Sequence, residues 1–175
     1  MLIAITSDIH NNEVNLAKVM HYCQENKIQT IICCGDLASR ETLDFMNNNF
    51  SGNILYTFGN ADYDDLRELA EQKKYRNTYL FKNFGEAVIE KKNVAFVHFP
   101  DKAKSLARTG KYDFVFYGHT HKPWIVSAVS PEDTGSKNYT LLNPGTAAGE
   151  IYPPTFATWE TETGKFNLIR VHDLK

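Results

Sequence analysis

Seven side chains able to hold a cation fall at five places along the chain: Asp8 and His10 in "SDIH", Asp36 in "CGDL", Asn60 in "GNAD", His98 in "VHFP", and His119 and His121 in "GHTH". Each place follows an apolar run that reads as a strand. Taken singly, each has a plain explanation. An Asp closing a strand caps a helix, an Asn after Gly makes a turn, and a strand histidine is packed and hydrogen-bonded. Those explanations would have to hold seven times over, always at strand ends. The set includes four of the six histidines. In open α/β sheets, binding sites form at the carboxyl ends of strands. In extended chain, residues two apart share a side, so Asp8 can face one ion with His10, and His119 with His121. Glycines before Asp36, Asn60 and His119 let the backbone turn sharply. Imidazole with oxygen ligands suits manganese, iron, zinc or nickel over magnesium or calcium and does not choose among the four; manganese is the expected metal.

The elements that must position these groups are legible in the apolar runs. "LIAITSD", "TIICCGD" and "NILYTFGN" read as buried strands. Between them a helix is expected over Asn12 to Asn26, with Val14, Ala17, Val19, Met20 and Cys23 at helical spacing. A second, capped by Ser39, runs to about Asn47 with Leu43, Phe45 and Met46, and a third, capped by Asp62, carries Leu66, Leu69 and Ala70. That alternation favours a mainly parallel sheet covered by helices. From Asn77 the pattern becomes short strands, with tight turns at Glu90 to Asn93 and Thr163-Gly164, a brief helix over Lys102 to Arg108, and a polar loop in "SPEDTGSKN". The fold class is α/β, two packed sheets with helices outside, in one domain spanning 1–175.

The chain has 175 residues, 42% hydrophobic and 23% charged, with a net charge of -2. That balance gives no bulk attraction for nucleic acid or an anionic membrane, so stable nucleic-acid binding is not expected. Cys23, Cys33 and Cys34 read as reduced and buried. "MLIAITSDIHNN" has no basic segment or cleavage pattern, and no apolar run is long enough for a membrane helix, so a cytoplasmic location is expected.

The five motifs, in this order, resemble the signature of the calcineurin-like metallophosphoesterase superfamily, in particular its small single-domain phosphodiesterase branch, which also includes a retromer subunit. "NPGT", Asn143 to Thr146, matches the same branch. The resemblance implies a four-layer sandwich of helix, sheet, sheet and helix. It implies two divalent ions, one held by Asp8, His10, Asp36 and His121 and the other by Asp36, Asn60, His98 and His119, with Asp36 between them. Asp8, Asp36, Asn60 and His98 would carry catalysis, in which a hydroxide bridging the ions attacks phosphorus. The substrate would be a small phosphate ester, nucleotide-like or an aryl phosphodiester.

Three departures bear on this reading. Many relatives carry histidine after the G-N asparagine, where it can protonate a leaving alkoxide; this chain has Ala61, which cannot. Phe99-Pro100 and Asn11 stand where glycines are common. Lys122 and Arg108 read as solvated surface residues and Trp124 and Phe99 as packing, although the first pair could touch phosphate and the second could stack on an aromatic group. Asn143-Pro144-Gly145 reads as a turn, His21 as a helix residue and His172 as part of the last strand. The alternative is a scaffold of the same fold with little or no activity, which Ala61 favours. A metallo-β-lactamase site fails, because His119-Thr120-His121 continues as Lys122-Pro123-Trp124.

Overall fold

The computed structural model describes residues 1–62, 68, 75–131 and 137–175. Strands β1 (Leu2–Thr6), β2 (Thr30–Cys33) and β3 (Asn53–Thr57) run parallel, with β4 (Thr78–Phe81) added parallel to β3. On the other side of β1, β10 (Thr155–Glu160) and β11 (Lys165–Arg170) pair antiparallel, giving a six-stranded sheet in the order β11-β10-β1-β2-β3-β4. The second sheet has five strands, β5 (Gly85–Ile89), β6 (Lys92–Val97), β7 (Phe114–Tyr117), β9 (Asn138–Asn143) and β8 (Trp124–Val129), in that spatial order.

Three apolar clusters hold the layers together. The first joins Ala4, Ile31, Cys33, Ile54 and Tyr56 of the six-stranded sheet to α1 (Glu13–Glu25) and α2 (Arg40–Asn49). The second lies between the sheets, where Ile3, Ile5, Ile32 and Trp159 meet Val94, Phe96, Phe116 and Leu142. The third packs Ala95, Val97, Val115 and Leu141 against Ala103 and Ala107 of α3 (Pro100–Arg108). Alternate residues of β1 and β2 thus serve different clusters. Being covered on both faces, these strands are apolar throughout.

The helix-sheet-sheet-helix layering agrees with the sequence reading, with local corrections. In α1 the buried stripe is Leu16, Val19, Met20 and Cys23, whereas Val14 is 72% exposed and Ala17 is also exposed. Leu16 sets the phase, and residues 14 and 17 fall off the i, i+3, i+4, i+7 face. Helix α3 starts at Pro100, earlier than expected, because proline suits the first helical turn and its missing N–H costs nothing there. His172 lies in a 3₁₀ turn, Val171–Asp173, after the last strand. The turn between β5 and β6 is Glu90-Lys91, both with positive φ, as a two-residue hairpin requires. The helix expected on Leu66, Leu69 and Ala70 lies outside the described residues, as does most of the polar loop near Asp133. The three cysteines are free and buried. Among the described residues no helix is long and apolar enough to cross a membrane.

Candidate metal centre

The strands β1, β2, β3, β6 and β7 end at one edge of the sandwich, and the loops that leave them bring all seven candidate side chains together. Two tight groups form: Asp8 with His10 and His121, and Asp8 with Asp36 and His98, with one ligating atom of each residue within 4.8 Å of the others in its group. Asn60 and His119 join through His98, whose Nε2 lies 3.1 Å from Asn60 Oδ1 and 3.2 Å from His119 Nδ1. Sequence reasoning placed all seven in one site, and the structure brings all seven into one site.

The backbone that does this is not the extended chain expected. Asp8, His10, Asp36, His119 and His121 have φ of 54°, 45°, 58°, 69° and 59°, the left-handed region. Each such residue costs about 1 kcal/mol or more, and such strain persists where surrounding contacts over-determine it. Here the loops after β1 and β2 are laced together: the Ile9 and His10 amides donate to the Asp36 carbonyl at 2.8 and 3.0 Å, and the Asp8 amide donates to the Gly35 carbonyl at 3.0 Å. The left-handed turns break the two-residue period of a strand. Consequently His119 and His121 point to different groups, His119 to His98 and His121 Nε2 to Asp8 Oδ1 at 3.2 Å. The glycines before the ligands serve in two ways. Of the three, only Gly35 has a positive φ, at 101°, while Gly59 is needed because a Cβ there would run into the Asp36 carboxylate.

Each carboxylate divides its oxygens between the backbone and the centre. Asp8 Oδ2 accepts from the His119 amide at 3.1 Å, leaving Oδ1 facing His121 and His10. Asp36 Oδ1 accepts from the Ala61 amide at 2.8 Å, leaving Oδ2 3.2 Å from His98 Nε2 and 3.8 Å from His10 Nε2. A single oxygen of Asp36 therefore looks into both groups. His98 Nδ1 lies 2.9 Å from the Cys34 carbonyl, which can only accept, so Nδ1 carries the proton and Nε2 of the neutral ring turns its lone pair inward. That lone pair faces the Asp36 carboxylate oxygen and the Asn60 amide oxygen, two acceptors, with the His119 ring beside them. Asp8 Oδ1 and His10 Nε2 are buried atoms that make no hydrogen bond of ordinary geometry, Asp8 Oδ1 having the His121 ring 3.2 Å away. Converging buried acceptors are costly unless a proton or cation sits among them, so this donor set fits a divalent metal.

Without a cation, protons take that place. Burial pushes the Asp8 carboxyl up, but hydrogen bonds from His10 and His121 outweigh it and hold Asp8 below the usual carboxylate range. The hydrogen bond to Asp8 raises the His10 pKa against the opposing effect of burial. Burial pushes His98 down, and the hydrogen bond and charge of Asp36 more than offset it, so its pKa is also raised.

Further polar residues support the centre. Asp62 is buried and accepts from the amides of Asp36, Ala38 and Gly59 at 3.2, 2.9 and 2.6 Å. It locks the β2 and β3 loops to each other. Asn143 is more than a turn residue: its Nδ2 donates to the Gly118 carbonyl at 2.8 Å and to the Thr120 hydroxyl at 3.0 Å, pinning the turn that carries His119 and His121. Thr146 donates to the Asp8 carbonyl at 2.8 Å. Asn11, with φ 60°, serves where a glycine is common because its side-chain oxygen accepts from Ser39 and Thr42 at 2.8 and 2.7 Å. The signal for these residues was present only as unexplained polar side chains beside the motifs. Phe99 forms a wall of the site, its ring 5.0 Å from that of His98 and 5.2 Å from that of His119. Trp124 is not packed away but 56% exposed. Arg108 lies in the last turn of α3, and His21 pairs with Glu25 on α1, away from the motifs that form the centre.

Known proteins resemble this chain in sequence and fold. Phosphodiesterase MJ0936 of Methanocaldococcus jannaschii is 26% identical over 172 residues, covering 97% of this chain and 98% of that one. A solved archaeal phosphodiesterase superposes with a TM-score of 0.82 at 26% identity, covering 97% of this chain and 99% of that one. YfcE, a phosphoesterase from E. coli, superposes with a TM-score of 0.72 at 17% identity, covering 100% of this chain and 96% of that one, a likeness of fold. The model of the calcineurin-like phosphoesterase superfamily domain matches residues 1–164, from before Asp8 to beyond the His121 turn and its Asn143 support. The fold, the motif order and that match agree, and the chain belongs to the calcineurin-like phosphoesterase superfamily.

Proposed function

We propose that the protein is a phosphodiesterase acting through two divalent cations, one held by Asp8, His10, Asp36 and His121 and the other by Asp36, Asn60, His98 and His119. The observation that carries this is the position of Asp36 Oδ2, 3.2 Å from His98 Nε2 and 3.8 Å from His10 Nε2, with its other oxygen already bound to the Ala61 amide. When bound, such cations supply Lewis acidity and bring the pKa of water from 15.7 towards about 7. The protein's part is to aim the ligands: backbone amides orient both carboxylates, and the Cys34 carbonyl fixes the His98 tautomer. Such outer partners set ligand direction and basicity. Asn60 and His119 are exposed at the mouth, where an arriving phosphate meets them first. Manganese is the expected metal, ahead of iron, zinc and nickel. The relative named a phosphodiesterase supports diesters over monoesters. The chain works as one domain, 1–175, supported by a cluster between the sheets that draws on residues from Ile3 to Trp159. Its free, buried cysteines suit the cytoplasm.

Neither half of Ala61 can protonate a departing alkoxide. The methyl group has no proton to give, and the amide proton is spent on Asp36. Aryl phosphodiesters, whose phenolate leaves unprotonated, are therefore expected to turn over much faster than alkyl ones under the same metal. Equal rates on both would remove this argument. Metal-dependent hydrolysis of bis(p-nitrophenyl) phosphate by the wild type, lost by about 10³-fold or more in Asp36→Ala, is the direct test. Silence of both proteins with manganese, nickel, zinc and iron would favour the scaffold reading, to which Ala61 already lends itself.

A further inference from the structure

Beside the His121 end of the centre lies a cleft of about 310 Å³ lined by Tyr117, Thr120, Lys122, Trp124 and Tyr152. The lining is chemically mixed in a particular way: three aromatic rings, two of them phenols, one aliphatic hydroxyl and one ammonium. Thr120 stands between His119 and His121, and Lys122 follows His121, so the turn that carries two candidate ligands also lines the cleft. Trp124 is 56% exposed and Tyr152 37% exposed, large aromatic surfaces left open to water. Lys122 is exposed and has no carboxylate partner among the described residues.

The cleft is also held in a fixed relation to the centre. Trp124 is paired in register with Asn143, the residue whose side chain binds the Gly118 carbonyl and the Thr120 hydroxyl. A ring standing on Trp124 is thus placed by the same residue that positions the His119–His121 turn. Open aromatic faces beside a cation are the surfaces on which nucleobases and other planar groups stack. The volume sits near the lower end of the range for small-molecule sites, about 300–1,000 Å³, which admits one ring system with its sugar and excludes a folded partner or a long polymer.

We propose that this cleft binds one planar aromatic ester group of the substrate, a nucleoside stacked on Trp124, so that the protein selects nucleoside phosphodiesters over simple alkyl ones. This rests on the phosphodiesterase reading above, and it concerns the group that stays as well as the group that leaves. The test separates the two by holding the leaving group constant. The p-nitrophenyl ester of thymidine 5′-phosphate and methyl p-nitrophenyl phosphate both release p-nitrophenolate. The wild type is expected to favour the thymidine ester by about tenfold or more in kcat/KM, and Trp124→Ala to bring that ratio close to one. A ratio near one in the wild type, or one unchanged by the substitution, overturns the proposal while leaving the phosphodiesterase reading intact.

A second readout does not depend on turnover. The chain has two tryptophans, and Trp159 is fully buried, so quenching by an added nucleotide reports on Trp124. Adenosine monophosphate is expected to quench the wild type, methyl phosphate is not, and Trp124→Phe is expected to abolish the response. Quenching without turnover would support the cleft and count against the catalytic reading. Turnover without quenching would do the reverse.

Discussion

The candidate metal centre has a closed half and an open half, built by different means. Asp8, Asp36 and His98 are buried to within 1% of complete exclusion from water, and each has its remaining polar atom tied to the backbone. Asn60 and His119 are exposed and His10 and His121 half-buried, and the turn of His119 and His121 is steadied from behind by Asn143. The closed half sets direction, since a buried carboxylate or imidazole with one atom fixed has little freedom left for the other. The open half leaves room for a substrate. A centre made only of the first kind would hold its cations and exclude phosphate; one made only of the second would be reorganised by water.

The comparison can be broken where the closed half is held. Asp62→Ala leaves three amides without their acceptor, in a position only 5% exposed. Leaving buried donors unmatched costs about 1–3 kcal/mol each, so a loss of about 3 kcal/mol or more is expected in urea unfolding of the metal-free protein. A loss under about 0.5 kcal/mol would mean that the two loops hold themselves. Asn143→Ala addresses the open half and is expected to act on function more than on folding. By freeing the turn of His119 and His121 it should lower metal affinity or turnover about 10–100-fold, measured by metal titration and by aryl diester hydrolysis. An effect on both halves of equal size would erase the distinction.

The smallest effect expected is a pH dependence of the metal-free fold. The folded protein raises the pKa of His10 and His98, so each protonated ring stabilises the metal-free fold. That contribution is fully present below the unfolded value of about 6.5 and is lost as pH rises through the raised values. Cations need the same nitrogens unprotonated, so stabilisation by metal grows over the same window. Melting temperatures followed upward from about pH 6 should fall in the presence of a chelator, and the gap between chelated and manganese-loaded protein should widen.

Much of the molecule was legible in its sequence for reasons that differ between core and site. Strands such as β1 and β2, covered on both faces, must be apolar at nearly every position, and their ends are marked by the first polar residues. Asp8, Asp36 and His98 were found that way. What could not be read was the left-handed backbone at Asp8, His10, Asp36, His119 and His121, because none of these is glycine and only contacts between distant loops impose it. Asn143 escaped for a related reason. Two of its partners are the Gly118 carbonyl and the Gly145 amide, backbone groups that carry no signature in a one-letter code. Val14 was misplaced by a simpler error, a helix phase drawn without Leu16.

The proposed pair of cations on either side of Asp36 is tested most directly by crystals grown with manganese and measured at its absorption edge. Two anomalous peaks are expected, one against His10 and His121 and one against His98, Asn60 and His119. Density showing Asp36 Oδ2 and His98 Nε2 in contact with water alone, at saturating manganese, would contradict it.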